Sequence, residues 1–146
     1  MTKQLTAKKS PKAYRTNLNR IPRFAGDFAA ILKPGMVLAL LGDLGTGKTT
    51  FVRELVKNLG FAGKVTSPSF TLVNRYKIGK GGIDYLYHID LYRLANQPLD
   101  MDAGFGLSDL LHDQNSIVAI EWANKVIDLL PQDRLLVINF DNETKE

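Results

Sequence analysis

Residues 42–49 read Gly42-Asp43-Leu44-Gly45-Thr46-Gly47-Lys48-Thr49 and match the Walker A pattern at every fixed position. Glycines in such a loop allow backbone N–H groups to turn inward around phosphate oxygens. The side chain of Lys48 is expected to neutralise the β and γ phosphates, and the hydroxyl of Thr49 is expected to ligate Mg²⁺. The loop therefore predicts a site for a nucleoside triphosphate and its metal ion.

The sequence on both sides of this loop has the context that the motif requires. Residues 36–41 form a continuous apolar run, as in a strand that is buried on both faces. Residues 52–59 place apolar side chains at helical spacing, and the following Gly60 is typical of the end of a helix. The order of strand, loop and helix favours a phosphate-binding loop over an ordinary glycine turn.

The rest of the chain alternates between predicted strands and helices. A helix is expected over about residues 21–32, with Asn19 as its N-terminal cap and Pro22 in its first turn. The glycine-rich residues 79–82 separate two segments rich in aromatic and β-branched residues, 70–76 and 83–91, which predicts an antiparallel hairpin. The other expected elements are an edge strand over 12–18, a short helix over 107–111 within the irregular segment 100–112, and buried strands over 117–120 and 135–140.

These elements predict an α/β fold, a single P-loop NTPase-like domain with a mixed sheet. Parallel central strands are expected to carry the site, and the antiparallel hairpin is expected to extend one side of the sheet. The composition agrees with one soluble domain, because 45% of the 146 residues are hydrophobic and 23% are charged.

The composition also excludes several classes of protein. The longest apolar run is far shorter than the roughly 18 residues that cross a bilayer, so no membrane association is expected. The chain has no cysteine and two histidines, which excludes disulfides and thiolate metal sites and disfavours a structural zinc site. Nothing points to secretion, and the expected location is the cytoplasm.

Basic residues are concentrated at the N-terminus. The first 23 residues carry seven Lys and Arg side chains and no acid, although the net charge of the whole chain is only +4. We divide the chain into a basic arm over residues 1–15, which could be disordered, and a P-loop ATPase domain over residues 16–146. The arm could be a solvated tail, could hold RNA phosphates through counterion release, or could be a targeting segment.

Two carboxylates are candidates for the acid that a P-loop NTPase uses to hold its metal ion or water. Glu121 follows the apolar run 117–120, and Asp90 follows residues 85–89. Each could end a strand beside the phosphate loop, or could be a solvated carboxylate at a strand end. His88 is expected on the same face as Asp90, because side chains alternate along a strand. A lone histidine is more often a hydrogen-bonded core residue than a catalyst.

Three further segments could contribute to a nucleotide site or could have only a structural role. Trp122 could cover the nucleotide or could fill the core. The loop over residues 66–71 offers several hydroxyls suitable for sensing a γ-phosphate, or could be a simple connector. Residues 124–128 are similar to the guanine-binding pattern NKxD, but the aspartate stands one residue too far along, so ATP is favoured over GTP.

In four blocks, the sequence resembles the TsaE family of bacterial P-loop ATPases, which take part in making threonylcarbamoyladenosine in tRNA. The blocks are Gly42-Asp43-Leu44-Gly45-Thr46-Gly47-Lys48-Thr49-Thr50, Ser67-Pro68-Ser69-Phe70-Thr71-Leu72-Val73, His88-Ile89-Asp90-Leu91-Tyr92-Arg93-Leu94 and Glu121-Trp122. Countless proteins share a Walker A motif, whereas the HxDxYRL run and the EW pair at these distances are far more specific. The resemblance covers about residues 16–140.

The resemblance implies a role for individual residues. The loop residues 42–50 would bind ATP, with Lys48 and Thr49 at the phosphates and Mg²⁺. Asp90 would take part in metal coordination, and Glu121 would act as the Walker B-like acid near the γ-phosphate. Trp122 would lie beside the nucleotide. The expected catalytic residues are thus Lys48, Asp90 and Glu121, and the expected metal ligands are Thr49, Asp90 and Glu121.

The resemblance also implies partners. Family members work with TsaD and TsaB, whose heterodimer transfers the threonylcarbamoyl group to the adenosine next to the anticodon. Hydrolysis of ATP would support turnover of that assembly, and tRNA would be reached indirectly through the complex.

The chain departs from the family pattern at three places. Ser69 stands where threonine is usual, Asn124 stands where an acid is frequent, and the chain ends at Glu146 where family members often continue with another strand. Two rival functions remain: a nucleotide-dependent switch or adaptor whose hydrolysis is incidental, and a P-loop small-molecule kinase. The sequence has no arginine-rich lid segment of the kind a kinase would need.

Overall fold

A six-stranded sheet runs through the computed structural model, which describes residues 11–68, 71–94 and 106–142. The strands are β1 (Lys12–Asn17), β2 (Val37–Leu41), β3 (Val73–Lys80), β4 (Ile83–Asp90), β5 (Ile117–Glu121) and β6 (Leu135–Asp141). The helices are α1 (Ile21–Ile31), α2 (Lys48–Asn58) and α3 (Leu107–His112). Short 3₁₀ turns occupy Leu18–Arg20, Tyr92–Leu94, Ala123–Lys125, Ile127–Leu129 and Gln132–Arg134.

The sheet is mixed, with the strand order β1-β6-β2-β5-β4-β3. Neighbouring strands are parallel except β3 and β4, which form an antiparallel hairpin at one edge. The predicted α/β fold with parallel central strands and an added hairpin is therefore confirmed. Because β2, β4 and β5 run in the same direction, their carboxyl ends meet at one edge of the sheet, where α/β proteins bind their ligands.

Apolar side chains cover both faces of the central strands. On one face, α1 and α2 pack over a core that includes the fully buried Leu38 and Phe51. On the other face, α3 and the turns after β5 cover a second core that includes Val118 and Leu107. Burial on both faces explains why β2 and β5 each have an uninterrupted apolar sequence.

The start of α1 differs from the prediction. The capping side chain is Asn17 and not Asn19: its Oδ1 accepts a hydrogen bond from the N–H of Arg20 at 3.3 Å. This bond caps the 3₁₀ turn Leu18–Arg20, which continues directly into α1, and no side chain caps α1 itself. The prediction was wrong because the extra turn moves the start of helical backbone two residues toward the N-terminus. Pro22 lies in the first turn of α1, as expected.

The hairpin is shifted relative to the predicted segments. Its first strand begins at Val73 and runs to Lys80, through part of the stretch predicted as the turn, while residues 69 and 70 lie outside the described part of the chain. The pairing changes register between Lys77 and Lys80, so a bulge absorbs one extra residue before the turn at Gly81 and Gly82.

The described chain begins inside the predicted basic arm. Residues 12–15 belong to β1, which pairs in parallel with β6, and residues 1–10 lie outside the described part. The expected disorder of the arm therefore stays a prediction for those residues. None of the described helices has both the length and the apolar character needed to cross a membrane.

Candidate functional site

The loop between β2 and α2 requires glycine at two positions. Gly42 has a φ of 153°, and a Cβ there would lie 2.7 Å from the carbonyl oxygen of Phe140. Gly47 has a φ of 108°, and a Cβ there would lie 2.4 Å from Cδ1 of Ile21. The obstacle is a backbone oxygen at Gly42 and the end of a side chain at Gly47, and the positive φ disfavours any other residue at both positions. The helix α2 follows Gly47 without a side-chain cap, so its first N–H groups point into the loop and can bind an anion.

Lys48, the first residue of α2, is buried against this loop. Its Nζ donates hydrogen bonds to the carbonyl oxygens of Gly42 and Asp43, the second at 2.9 Å. Burial lowers the pKa of Lys48 below its ordinary value of 10.5, and the nearby charges of Glu121, Asp90 and Asp43 oppose that shift. The ammonium therefore stands where positive charge is balanced by the acids of the site.

The two predicted acids lie next to each other at the carboxyl edge of the sheet. Glu121 ends β5, Asp90 ends β4, and the two residues are paired in the parallel register. Both are buried, with exposed fractions of 4% and 6%. The Oε2 atom of Glu121 accepts a hydrogen bond from the hydroxyl of Thr49 at 2.7 Å. Oδ1 of Asp90 accepts one from the backbone N–H of Tyr92 at 2.9 Å.

His88 is a buried core residue that also contacts the site. It is fully buried, and its Nε2 lies 2.6 Å from the same Oε2 atom of Glu121 that Thr49 contacts. Its Nδ1 has no hydrogen-bond partner in the described part of the chain. The carboxylate of Glu121 is thus held by two contacts, one with Thr49 on α2 and one with His88 on β4. The sequence pattern indicated the shared face of His88 and Asp90, but not this contact.

Trp122 has an unusual backbone conformation for a large residue. Its φ of 58° lies in the left-handed region, which costs about 1–3 kcal/mol at such positions. This conformation brings the indole ring over the site, where its centroid lies 4.6 Å from Nζ of Lys48 and 5.1 Å from the ring centroid of Tyr92. The first distance is typical of a cation–π contact. The strain is therefore offset by contacts at the site.

These residues line one cavity of about 430 Å³. The predicted site residues that line it are Leu44, Gly45, Gly47, Lys48, Thr49, Thr50, Asp90, Glu121 and Trp122. Gly42, Asp43 and Thr46 were also predicted to bind the nucleotide, but they are not among the described residues that line the cavity. The buried hydroxyl of Thr46 donates a hydrogen bond to the carbonyl oxygen of Asp43 at 2.7 Å.

Two lining residues, Leu18 and Tyr92, were not predicted. The sequence does give a signal for Tyr92, because this aromatic residue stands two positions after the candidate acid Asp90. Leu18 gives no such signal, since only the packing of the turn before α1 brings it to the loop.

The loop before β3 also reaches the cavity. Ser67, one of the hydroxyl residues considered as a sensor of the γ-phosphate, is part of the lining. Leu72, at the end of this loop, has a φ of 70°, and its carbonyl oxygen accepts a hydrogen bond from the N–H of Asp90 at 3.0 Å. The loop is thereby joined to the end of β4, directly at one of the acids.

The oxygen donors of the site suit a magnesium ion that shares ligands with a nucleotide. Within the three described ranges, no group of three or more His, Asp or Glu side chains could hold a metal ion by itself. The hydroxyl of Thr49 and the carboxylate of Glu121 are hard oxygen donors that lie 2.7 Å apart. Mg²⁺ in nucleotide sites commonly uses one or two protein ligands together with substrate phosphates.

The model of the family described as "Threonylcarbamoyl adenosine biosynthesis protein TsaE" matches residues 15–146. The chain belongs to the TsaE family. Over 110 residues it is 41% identical to the tRNA threonylcarbamoyladenosine biosynthesis protein TsaE of Bacillus subtilis, with 75% of this chain and 65% of that relative covered. The corresponding TsaE protein of Borreliella burgdorferi is 37% identical over 119 residues, with 80% and 81% covered.

A solved structure is also similar to this TsaE-family chain. The crystal structure of Bacillus subtilis YdiB has a TM-score of 0.62 and 32% sequence identity, and the match covers 88% of this chain and 73% of that one. The resemblance read from the four sequence blocks is therefore confirmed at the level of family and fold. The match spans slightly less than two thirds of the Bacillus subtilis relative's own length.

Proposed function

We propose that this protein binds ATP together with Mg²⁺, hydrolyses it, and so supports threonylcarbamoyladenosine modification of tRNA with a TsaD and TsaB complex in the cytoplasm. The observation that carries the proposal is the convergence of Lys48, Thr49 and Glu121 in one cavity behind a glycine loop. Membership of the TsaE family supports the link to tRNA modification. The failed guanine pattern at residues 124–128 favours ATP over GTP.

The chain's own residues divide the work by position. The N–H groups at the start of α2 and the ammonium of Lys48 bind the β and γ phosphates and neutralise their charge. Glu121, held by Thr49 and His88, is oriented to fix an attacking water and accept its proton. Phosphoryl transfer depends mainly on such positioning and charge compensation, with little covalent chemistry by the protein.

Thr49, Asp90 and Glu121 would hold the magnesium ion, which supplies charge neutralisation at the β and γ oxygens when it is bound. Trp122 and Tyr92 would cover the cavity from the side of β4 and β5, where their rings are in contact. The indole over Lys48 also reduces the access of water to that ammonium. The metal-binding roles follow from the resemblance to the TsaE family, and the contacts of Thr49 with Glu121 and of Trp122 with Lys48 are compatible with them.

The cavity lacks a second cation of its own. Within the described residues, Lys48 is the one basic side chain that lines it. Arg75 is exposed, and its guanidinium lies 4.7 Å from the ring centroid of Tyr85. Neither Arg75 nor Arg93 is part of the lining. An arginine supplied by a partner commonly accelerates such reactions, so slow hydrolysis is expected from the protein alone.

The experiment is steady-state phosphate release by the purified protein, with and without purified TsaD and TsaB. We expect slow release alone, a clear acceleration with the partners, and tighter partner binding in ATP than in ADP. An acceleration is expected because a partner that closes the open side excludes water and adds charge compensation. Fast release alone, with neither rate nor affinity changed by the partners, would remove the link to tRNA modification and leave only a P-loop ATPase.

A second function, a nucleotide-dependent switch, is favoured by the loop before β3. Ser67 lines the cavity, and the bond from Asp90 to Leu72 joins this loop to the site. Such a loop could change its position with the γ-phosphate, as switch loops do. Multiple-turnover phosphate release separates the two functions: a switch with incidental hydrolysis would release about one phosphate per bound nucleotide and then stop.

A further inference from the structure

A second cavity lies between the edge strand β1 and the helix α1. It has a volume of about 430 Å³, and three arginines line it: Arg15, Arg20 and Arg23. Among the residues that the structure describes, Asp27 is the one acid in its lining. The side chains that line the cavity therefore have a net positive charge. They belong to the N-terminal part of the sequence, in which Asp27 is the first acid.

Two of the three arginines are available to a ligand. Arg20 and Arg23 are exposed and have no ion-pair partner within the described residues. Arg15 forms an ion pair with Asp141 at 3.2 Å, with side chains that are 73% and 42% exposed, and ion pairs at the surface are weak. Guanidinium groups bind phosphate through two parallel hydrogen bonds, which an ammonium cannot do.

The wall of this cavity contains a hydrogen-bonding group without a partner. Thr16 lines the cavity, is only 3% exposed, and its hydroxyl has no hydrogen-bond partner in the described part of the protein. A buried hydroxyl without a partner costs free energy, and most such groups in proteins are paired. A phosphate oxygen that enters the cavity would accept the hydrogen bond that the protein leaves unmade.

An aromatic ring completes the lining. Phe24, half-buried, stacks against Phe28 with the ring centroids 5.4 Å apart. Phe24 lines the same cavity as the three arginines, so the lining combines basic and aromatic side chains. Surfaces of this kind bind nucleic acid, where the cations follow the backbone and the rings contact the bases.

We propose that the cavity between β1 and α1 binds the phosphodiester backbone of RNA, through Arg20, Arg23 and the hydroxyl of Thr16. This inference goes beyond the proposed function, in which tRNA is reached only through the partner proteins. It uses that function to choose tRNA as the probe, but the binding needs neither ATP hydrolysis nor TsaD and TsaB. The site is separate from the nucleotide cavity, with which it shares no lining residue.

The experiment measures binding of a fluorescently labelled, unmodified tRNA transcript to the full-length protein by anisotropy at several salt concentrations. The double variant Arg20→Ala/Arg23→Ala is compared with Lys77→Ala/Lys80→Ala, which removes the same charge from the exposed opposite edge of the sheet. The arginine variant is expected to bind roughly tenfold more weakly, with a salt dependence reduced by about two units of slope, since each phosphate contact contributes about one. The lysine variant should keep the wild-type slope.

A second variant tests the hydroxyl without removing charge. Thr16→Val keeps the shape of the side chain and removes a group that has no partner in the protein, so the melting temperature should stay the same or rise. Binding of tRNA should nevertheless fall several-fold. Thr16→Val with unchanged tRNA affinity, in a folded protein, would overturn the role of the cavity.

Two other outcomes would also overturn the proposal. In the first, the arginine variant binds tRNA with the affinity and the salt dependence of the wild type, and binding is lost only when residues 1–10 are deleted. That result would assign the RNA contact to the N-terminal arm. The other is occupancy of the cavity by inorganic phosphate at low millimolar concentration with no competition by tRNA, which would make it a site for free phosphate. Phosphate release measured in parallel keeps a failure of the ATPase proposal apart from a failure of this one.

Discussion

Lys48→Ala is expected to weaken ATP binding by roughly 100-fold or more, because the loss of a buried, hydrogen-bonded charge partner costs about 2–5 kcal/mol. In the free protein this ammonium lies between the loop carbonyls and the acids Glu121 and Asp90. Its removal leaves these two carboxylates facing the phosphates without compensation. The variant therefore loses an attraction and gains a repulsion at the same place.

The measurement is isothermal titration calorimetry with ATP and Mg²⁺, and Lys57→Ala is the matched control. Lys57 lies on the same helix, is exposed, and forms an ion pair with Glu54 at 3.7 Å. The control should bind ATP like the wild type. Near-ultraviolet circular dichroism checks that both variants are folded. Unchanged ATP affinity in a folded Lys48→Ala protein would show that the glycine loop is not the nucleotide site.

Glu121→Gln is expected to keep ATP binding within a few-fold and to lower the hydrolysis rate by about 100-fold or more, the usual effect of losing a general base. The amide has the same shape, and its oxygen can still accept the hydrogen bond from Thr49. It has no negative charge, so it can neither take a proton from water nor hold Mg²⁺ as strongly. The change therefore separates binding from the chemical step.

Single-turnover hydrolysis of γ-labelled ATP is the appropriate measurement, since slow wild-type turnover is expected. Glu54→Gln serves as the control, because Glu54 is a half-buried acid on α2 that does not line the cavity, and this variant should hydrolyse ATP at the wild-type rate. A Glu121→Gln protein with the wild-type rate would move the catalytic role to another acid. Asp90→Asn, measured in the same way, would then test the neighbouring strand end.

The positions of the glycine loop and of both acids could be predicted because each depends on a short stretch of sequence. A buried strand leads into the glycines, and the parallel direction of β4 and β5 brings Asp90 and Glu121 to the same edge. The contact of His88 with Glu121 and the position of Leu18 could not be predicted, since they depend on packing between elements far apart in the chain. The same holds for the left-handed backbone of Trp122, which no local residue preference favours.

The capping of the N-terminal turn shows a different limit. Asn17 and Asn19 have equal capping propensity, and the choice between them follows from where β1 ends against β6. The position of the bulge in β3 could not be predicted for the same reason. The glycines within residues 79–82 are compatible with several turn conformations, and the pairing of β3 with β4 determines which of them forms. Local chemistry limits the alternatives in both cases, and tertiary contacts decide among them.

A close fit between α1 and the glycine loop limits the size of the residue that position 47 can hold. A Cβ at Gly47 would lie 2.4 Å from Cδ1 of Ile21 and 3.1 Å from Cδ1 of Leu18. Ile21 is fully buried, so its side chain is held in place by the core. The position of α1 on the sheet therefore helps to shape the glycine loop, and a smaller side chain at Ile21 would leave that loop less closely packed.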